Sequence, residues 1–198
     1  MDLYFLPNNP VRATIISAND VAHFRVTTRN GVTRVQRPAE SEDASIVAEI
    51  HWNSWESPTV VQSQLLSKYK HSEDLKGVRA TDFLYKRARF SSSRYFVGND
   101  GQEYRWKTIP RAGLVLTQID TSEEVARFFT TVPEEGVFKG ERRMTLRIQA
   151  CNLDVELIFL TFLILEKKRR DGMDGSRSCA HDEDPQGDGG EDGGSGSG

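Results

Sequence analysis

An almost wholly apolar run near the end of the chain, residues 157–165, constrains the fold more than any other feature. Thr161 is its one polar residue. A helix that is apolar on every side must be enclosed, either by protein or by lipid. The run is therefore predicted to lie in a buried helix from about Asn152, a suitable N-cap, to Arg170, with basic residues at 167–170 in its last turn.

Two alternatives to a buried helix remain open for this segment. Val, Ile, Phe and Thr also favour strands, and a short apolar run cannot be assigned by periodicity alone, but the segment is longer than a typical strand. A membrane span needs about 20 mostly apolar residues. The apolar run is much shorter and lies between Glu156 and Glu166. The buried helix is favoured, and no transmembrane span is expected.

The residues that follow have a different composition. From Asp171 to Gly198 the chain consists mainly of Gly, Asp, Glu and Ser. Such a segment cannot bury enough apolar surface to offset the entropy lost on ordering. Residues 171–198 are therefore predicted to form a disordered acidic tail, and residues 1–170 a single domain that includes the helix at about 152–170.

Charge is distributed unevenly between these two parts. The tail has eight acidic residues and one basic residue, so its net charge is −7. The whole chain has a net charge of −3, which leaves +4 on residues 1–170. A tail of this kind either keeps the protein in solution or covers a basic surface of the domain. The second effect would be weakened by salt.

Cysteine content and the first residues predict the compartment. The chain has two cysteines, Cys151 and Cys179, and begins without the basic and apolar regions of a secretory signal. We therefore expect free thiols and a cytoplasmic protein, with peripheral attachment to a membrane left open. Cys151 is expected to be buried, as free cysteines usually are.

Short strand patterns occupy most of the remaining chain, separated by turn residues such as Asn30-Gly31. The predicted strands lie at 3–6, 13–16, 22–28, 32–37, 46–52, 59–62, 113–119, 124–132 and 143–150, with a hairpin at 94–107. Residues 38–44 are predicted to be a polar loop. Thr121 and Glu124 imitate a helix capping box, but the aromatic and β-branched residues that follow favour a strand. These patterns predict a mainly β fold, and a closed antiparallel β-barrel could enclose the apolar helix.

Several segments, taken in order, carry a resemblance to a known family. They are LYFLPNNP near the start, IHW at 50–52, DFLYK at 82–86, SSSRYFVGNDGQEYRWK at 91–107 and LIFLTFLILEKKRR at 157–170. Over residues 3–170 the chain resembles an uncharacterised fungal domain family, abundant in mushroom-forming basidiomycetes. That family is similar in layout to the tubby-like group, which includes LURP-one-related proteins and phospholipid scramblases. The resemblance implies a tubby-like closed barrel around a hydrophobic C-terminal helix.

No arrangement of residues in the sequence indicates catalysis. The four histidines are scattered without metal-ligand spacing, and Gly98 and Gly101 belong to a turn rather than to a phosphate-binding loop. Asp100 and Glu103 lie at the predicted hairpin tip, where catalysis is not expected. We therefore expect a non-enzymatic protein that needs no metal and no cofactor.

A cluster of basic residues with interleaved aromatic residues is the best candidate for a binding site. The cations are Lys68, Lys70, Lys76, Arg79, Lys86, Arg87, Arg89 and Arg94, and the aromatic residues are Tyr69, Tyr85, Phe90 and Tyr95. Arg and Lys bind phosphate groups, whereas a solvated charged loop is the plainer interpretation. Tubby-like domains are known for phosphoinositide binding through basic residues, so the resemblance favours an anionic lipid over a nucleic acid as the ligand. Within the cluster, Lys86, Arg87, Arg89 and Arg94 are the residues expected to bind it.

Two functions are therefore weighed from the sequence. The first is an intracellular binding module for anionic membrane lipids such as phosphoinositides. The second is a protein-interaction or structural domain without a small-molecule ligand. The first requires that the basic residues between 68 and 94 share one exposed face, whereas the second is favoured by an exposed apolar patch.

Overall fold

A computed structural model of the protein describes residues 1–53, 58–69, 77–89, 91–110 and 112–174. These residues form one antiparallel sheet of twelve strands and a long C-terminal helix. The strands are β1 (Asp2–Leu6), β2 (Ala13–Ser17), β3 (Ala22–Arg29), β4 (Val32–Gln36), β5 (Ile46–His51), β6 (Val60–Gln62), β7 (Val78–Arg79), β8 (Arg94–Val97), β9 (Glu103–Ile109), β10 (Gly113–Gln118), β11 (Glu124–Thr131) and β12 (Arg143–Ile148). The helices are α1 (Glu42–Ser45), α2 (Ala80–Phe83) and α3 (Val155–Asp174), with a 3-10 helix at Gln64–Tyr69.

Every strand predicted from the sequence is confirmed within two residues, including the strand that follows the apparent capping box. The predictions missed β7, α2 and the 3-10 helix. They also assigned a loop to residues that contain α1, where the Ser41 hydroxyl accepts a hydrogen bond from the Ala44 N–H at 3.2 Å. These elements have four residues or fewer, apart from the 3-10 helix, and are too short for a periodic pattern.

The order of the strands in the sheet is β7-β6-β5-β4-β3-β2-β1-β12-β11-β10-β9-β8. Strands β1–β7 and β8–β12 each follow the chain order, and the pairing of β1 with β12 joins the two groups. The prediction of a closed barrel is not confirmed, because β7 and β8 are the two edges of the described sheet. The chain leaves the two-residue strand β7 directly into α2, which contacts both β7 and β8. A helical turn thus lies between the edges.

The predicted burial of α3 is confirmed. Its residues from Leu157 to Ile164 are at most 2% exposed, and they pack against the inner face of the sheet. The ring of Phe159 stacks on Phe24 with centroids 4.4 Å apart, and the ring of Phe162 lies 4.6 Å from Phe128. Offset and tilted aromatic pairs of this kind stabilise a core beyond the burial of their area.

The polar residue in this apolar run has its hydrogen bonds satisfied inside the core. Thr161 Oγ1 accepts a hydrogen bond from Trp106 Nε1 at 3.0 Å and lies 2.9 Å from the Leu157 carbonyl oxygen, to which it can donate. A buried hydroxyl or indole N–H without a partner would cost free energy. The pair therefore fixes the position of α3 relative to β9.

Both ends of α3 differ from the prediction. The helix begins at Val155, and the cap is Asp154, whose carboxylate accepts a hydrogen bond from the Glu156 N–H at 2.9 Å. Asn152 precedes it. The helix continues to Asp174 and so includes the first residues of the predicted tail. The rest of that tail, 175–198, lies outside the described residues. Cys151, expected to be buried, is exposed.

The basic run at 167–170 does not end the helix. Glu166 is fully buried, and its carboxylate accepts hydrogen bonds from Arg169 Nε and Arg170 Nε, both at 2.7 Å. The two guanidinium groups compensate a carboxylate that burial alone would strongly destabilise. The pairing also raises the pKa of Arg169. Within the described part of the chain, no helix is long and apolar enough to span a bilayer.

The ion-pair cluster of Glu166, Arg169 and Arg170 predicts that removing its two arginines costs more stability than removing one partner of an exposed ion pair. Arg169→Ala combined with Arg170→Ala leaves the Glu166 carboxylate buried without its two partners, and we expect a loss of about 3 kcal/mol in the free energy of unfolding. Adding Glu166→Gln should recover part of this loss. Urea unfolding followed by circular dichroism measures both. Arg34→Ala, which breaks the more exposed Arg34–Glu49 pair, is the control and should cost less than about 1 kcal/mol. A double variant as stable as the control would contradict the role given to Glu166.

Candidate functional site

The predicted anion site lies around strand β8, at one edge of the sheet. Arg87, half-exposed, forms an ion pair with Glu103, and its guanidinium lies over the Tyr95 ring at 4.6 Å from the centroid. Lys86 is half-buried and Arg89 is exposed in the same loop, which follows α2. Arg87 thus belongs to the outer side of the sheet, where the Tyr95 ring lies.

Arg94, the fourth predicted residue, lies on the other side of the sheet. It pairs in register with Trp106, whose buried indole contacts α3, and residues paired across strands share a face. Its Nη1 donates to the carbonyl oxygens of Ser91 and Ser93, both at 3.3 Å. The structure therefore does not bring Arg94 together with Arg87 on one surface.

Lys68 and Tyr69 of the wider cluster cover the exposed edge of β8. Lys68 Nζ donates to the carbonyl oxygen of Val97 at 3.2 Å, and the Tyr69 hydroxyl donates to the same oxygen at 2.9 Å. The backbone of Tyr85 exchanges two hydrogen bonds with that of Tyr95. An uncovered edge strand would invite pairing with another chain, so these contacts protect the sheet. Three members of the predicted cluster, Lys70, Lys76 and Phe90, lie outside the described residues.

Glu103 joins two residues of this edge. Its carboxylate accepts hydrogen bonds from the Tyr85 hydroxyl and from Arg87 Nη2. Burial, together with the hydrogen bond to Glu103, raises the pKa of Tyr85 to about 12. Glu103 was considered from the sequence as an exposed tip residue, but it is half-buried and holds the loop after α2 against β9.

A second set of basic residues crosses the outer face of the sheet, and no motif in the sequence indicates it. Lys107, Val115, Arg127, Arg147 and Asp2 are paired in register across β9, β10, β11, β12 and β1. Side chains alternate between the two faces of a strand. Because the neighbours Trp106 and Phe128 contact α3, Lys107 and Arg127 lie on the outer face.

We call four of these outer-face cations the basic band. They are Arg105, Lys107, Arg127 and Arg147. These four cations come from three strands, β9, β11 and β12, which are spread over residues 103–148. Each strand has only one or two cations, separated by other residues. No local run of charge marks them, so only the pairing register would have predicted the band.

Two members of the basic band are neutralised by carboxylates. Arg127 forms a bidentate pair with Glu124, and Arg147 forms one with Asp2 at 2.8 Å for both contacts. These hydrogen bonds raise the pKa of both arginines, and the hydrogen bond from Arg147 lowers the pKa of Asp2. Such exposed pairs contribute little to stability, and they leave the guanidinium groups at the surface.

The other two members have no carboxylate partner among the described residues. Arg105 Nη2 reaches Thr117 Oγ1 at 3.5 Å, and its Nε has no hydrogen-bond partner. Lys107 is exposed and forms no ion pair with any residue that the structure describes. Four cations and two carboxylates leave a net charge of +2 on this part of the outer face. The band can therefore attract an anionic group.

Apolar and aromatic side chains accompany the band. Phe129 lies under the Arg147 guanidinium at 5.2 Å, as Tyr95 lies under Arg87. Ile109, two residues after Lys107 on the same face of β9, is 37% exposed. Among residues with described positions, no group of three or more His, Cys, Asp or Glu could hold a metal ion.

Comparison with known proteins gives one match. The model of a family described as "Family of unknown function (DUF6593)" matches residues 8–171 of the chain. No curated protein and no solved structure matches the chain. The expectation of an uncharacterised family is confirmed at this level, and the expected fungal origin and the tubby-like relationship stay predictions.

The Tyr85–Glu103 hydrogen bond predicts a pH dependence of stability. An unfolded tyrosine ionises near pH 10, whereas Tyr85 stays protonated in the folded chain to about pH 12. The contribution of protonated Tyr85 to the free energy of unfolding is therefore fully present below about pH 10 and is lost as the pH rises towards 12. We expect Tyr85→Phe to reduce the fall in the free energy of unfolding between about pH 9 and pH 11, measured by urea titration. Tyr95→Phe is the control, because the Tyr95 hydroxyl makes no hydrogen bond with a described residue. Equal profiles for both variants would contradict the role of Tyr85.

Proposed function

The chain belongs to DUF6593, a family of unknown function, and we propose that it is a non-enzymatic module that binds anionic membrane lipids through the outer face of its sheet. The observation that carries the proposal is a pair of cations, Arg105 and Lys107, that have no carboxylate partner among the described residues and lie in a row of basic residues. We place the protein in the cytoplasm, with peripheral and reversible attachment to membranes.

Phosphate groups suit this surface for two reasons. The planar guanidinium of arginine binds phosphate oxygens in a bidentate manner, and lysine adds a compact charge. A basic residue close to an anionic bilayer contributes about 1 kcal/mol to the free energy of membrane binding. Two cations without carboxylate partners therefore support weak, salt-sensitive attachment rather than a permanent anchor. Arg87, with Lys86 and Arg89 in its loop, would extend the contact beyond the band.

The apolar residues favour a lipid over a nucleic acid. Single-stranded nucleic acids stack their bases on open aromatic rings. The two rings next to the band, Tyr95 and Phe129, already lie under guanidinium groups. Ile109, by contrast, presents an exposed aliphatic side chain beside Lys107. An aliphatic side chain next to cations is the combination found at the boundary between lipid headgroups and acyl chains.

The tubby-like relationship is part of this proposal. A curved antiparallel sheet around a hydrophobic C-terminal helix supports it, although α2 separates the edges β7 and β8 where a closed barrel would have a hydrogen-bonded pair. A role in moving lipids across the bilayer, as in scramblases, is not proposed, because the apolar residues of α3 from Leu157 to Ile164 are buried against the sheet.

Sedimentation of the full chain with vesicles tests the proposal. We expect it to pellet with vesicles that contain phosphatidylserine or a phosphoinositide, to remain in the supernatant with pure phosphatidylcholine, and to dissociate at high salt. Arg105→Gln combined with Lys107→Gln should weaken binding by roughly tenfold or more, as expected for two contacts of about 1 kcal/mol. Arg87→Gln with Arg89→Gln tests the predicted loop separately, and Arg94→Gln should have no effect.

The matched control is Arg12→Gln combined with Arg25→Gln. It removes the same charge from two exposed cations on or next to β2 and β3, away from the band. Equal loss of binding in the control would mean that net charge alone is responsible. Pelleting with pure phosphatidylcholine, or no pelleting with any vesicle, would refute the proposal.

The acidic tail gives a second test of the same surface. Residues 175–198 contain six acidic residues and one basic residue, and they would compete with anionic lipid for the band. A chain that ends at Asp174, which keeps the whole of α3, should bind anionic vesicles more tightly than the full chain at low salt, with little difference at high salt. Equal binding at low salt would show that the tail does not regulate the band.

A further inference from the structure

A groove lies on the outer face of the sheet at the Arg147 end of the basic band. Its volume is about 570 Å³, within the range of ligand-binding clefts. The floor is formed by Asp2, Tyr4 and Arg147, one wall by the turn at 18–19, and the other wall by the loop at 131–136.

The two walls are held in place by direct contacts. The Val137 N–H donates to the carbonyl oxygen of Ala18 at 3.3 Å, and Gly136 packs so closely on Ala18 that a Cβ would lie 2.8 Å from that oxygen. Further along the loop, the Phe138 ring lies 5.1 Å from the Tyr4 ring and covers that part of the sheet. The groove is therefore formed before any ligand binds, which lowers the entropic cost of binding.

The groove is acidic. Glu134 and Glu135 line it and form no ion pair with any residue in the described ranges, whereas Asp2 is neutralised by Arg147. The lining thus has a net charge of −2. Tyr4 is only 5% exposed and lines the floor of the groove, and its hydroxyl makes no hydrogen bond with a described residue. These groups would repel the anionic lipid proposed for the band and attract a cation.

One exposed apolar side chain lines the groove. Val132, 54% exposed, lies on the loop wall. Val137 and Val21 are also exposed and follow the two walls in the chain, but they are not among the residues that line the groove. The groove therefore offers an apolar contact at Val132 beside its carboxylates.

We propose that this groove binds a basic peptide segment of a protein partner, in which Lys or Arg side chains meet Glu134 and Glu135 and an intervening aliphatic side chain packs on Val132. The combination of two carboxylates, a tyrosine hydroxyl without a partner among the described residues and the exposed Val132 fits such a segment better than a small cation, which would leave Val132 uncovered. This site meets the basic band at Arg147, which is paired with Asp2, but its carboxylates Glu134 and Glu135 lie outside the band.

Fluorescence anisotropy with short labelled peptides tests the proposal on the full chain. An alternating Lys-Val hexapeptide is the probe, and Glu-Val and Lys-Ser hexapeptides test the charge and the aliphatic side chain separately. We expect saturable binding of the Lys-Val peptide and binding weaker by about fivefold or more for the other two, as expected for a few exposed contacts. Equal binding of the Lys-Ser or the Glu-Val peptide would overturn the proposal.

Variants locate the site. Glu134→Gln combined with Glu135→Gln should weaken binding of the Lys-Val peptide by about fivefold, and Val132→Ser by about threefold. All three residues are exposed, so the fold should be kept. Glu40→Gln combined with Glu123→Gln removes the same charge elsewhere and should leave binding unchanged. Equal weakening by this control, or no saturable binding, would overturn the proposal. The variant with both Arg105→Gln and Lys107→Gln should bind the peptide as tightly as the unmodified chain. A negative vesicle experiment would therefore refute lipid binding by the band without affecting the peptide proposal, and a negative peptide experiment would do the reverse.

Discussion

Enclosure of an apolar helix is the constraint on which the rest of this structure depends. Water must be kept from every side of α3 between Leu157 and Ile164. A single flat sheet covers one side of a helix, so the twelve strands must curve around it. The hydrogen bond between Trp106 and Thr161 then fixes which part of the sheet faces which part of the helix. The inner face is committed to the core, and the outer face is available for binding.

Most of the fold follows from local patterns, and the exceptions have physical causes. Alternating apolar residues predict the long strands, because burial on one face requires this period. The elements β7 and α2 are too short to produce a pattern, and they decide whether the sheet closes. The C-terminal end of α3 was misplaced for another reason. A basic run is typical of a last turn, but here Arg169 and Arg170 neutralise Glu166, whose burial no local pattern reveals.

The candidate site was less predictable than the fold. Charges that are close in the chain are the ones a sequence makes visible, and those at 68–94 form the predicted site. In the structure several of these cations serve the edge of the sheet, since Lys68 and Arg94 bind backbone carbonyl oxygens and Arg87 binds Glu103. The basic band and the acidic groove instead gather residues from distant strands. Register places Lys107 and Arg127 on either side of Val115, and the joining of β1 to β12 places Asp2 beside Arg147. Such a surface can be predicted only once the pairing of strands is known.

The pairing of β1 with β12, and the position of α3 after every strand, also bear on how the chain acquires its structure. The two groups of strands can join only when β12 is present. The apolar inner face of the sheet stays uncovered until α3 packs against it. Contacts between residues so distant in sequence form slowly, because the long intervening loop must first close. During synthesis the first eleven strands would leave the ribosome with their apolar faces exposed to water. Until its last helix arrives, such a chain is vulnerable to aggregation.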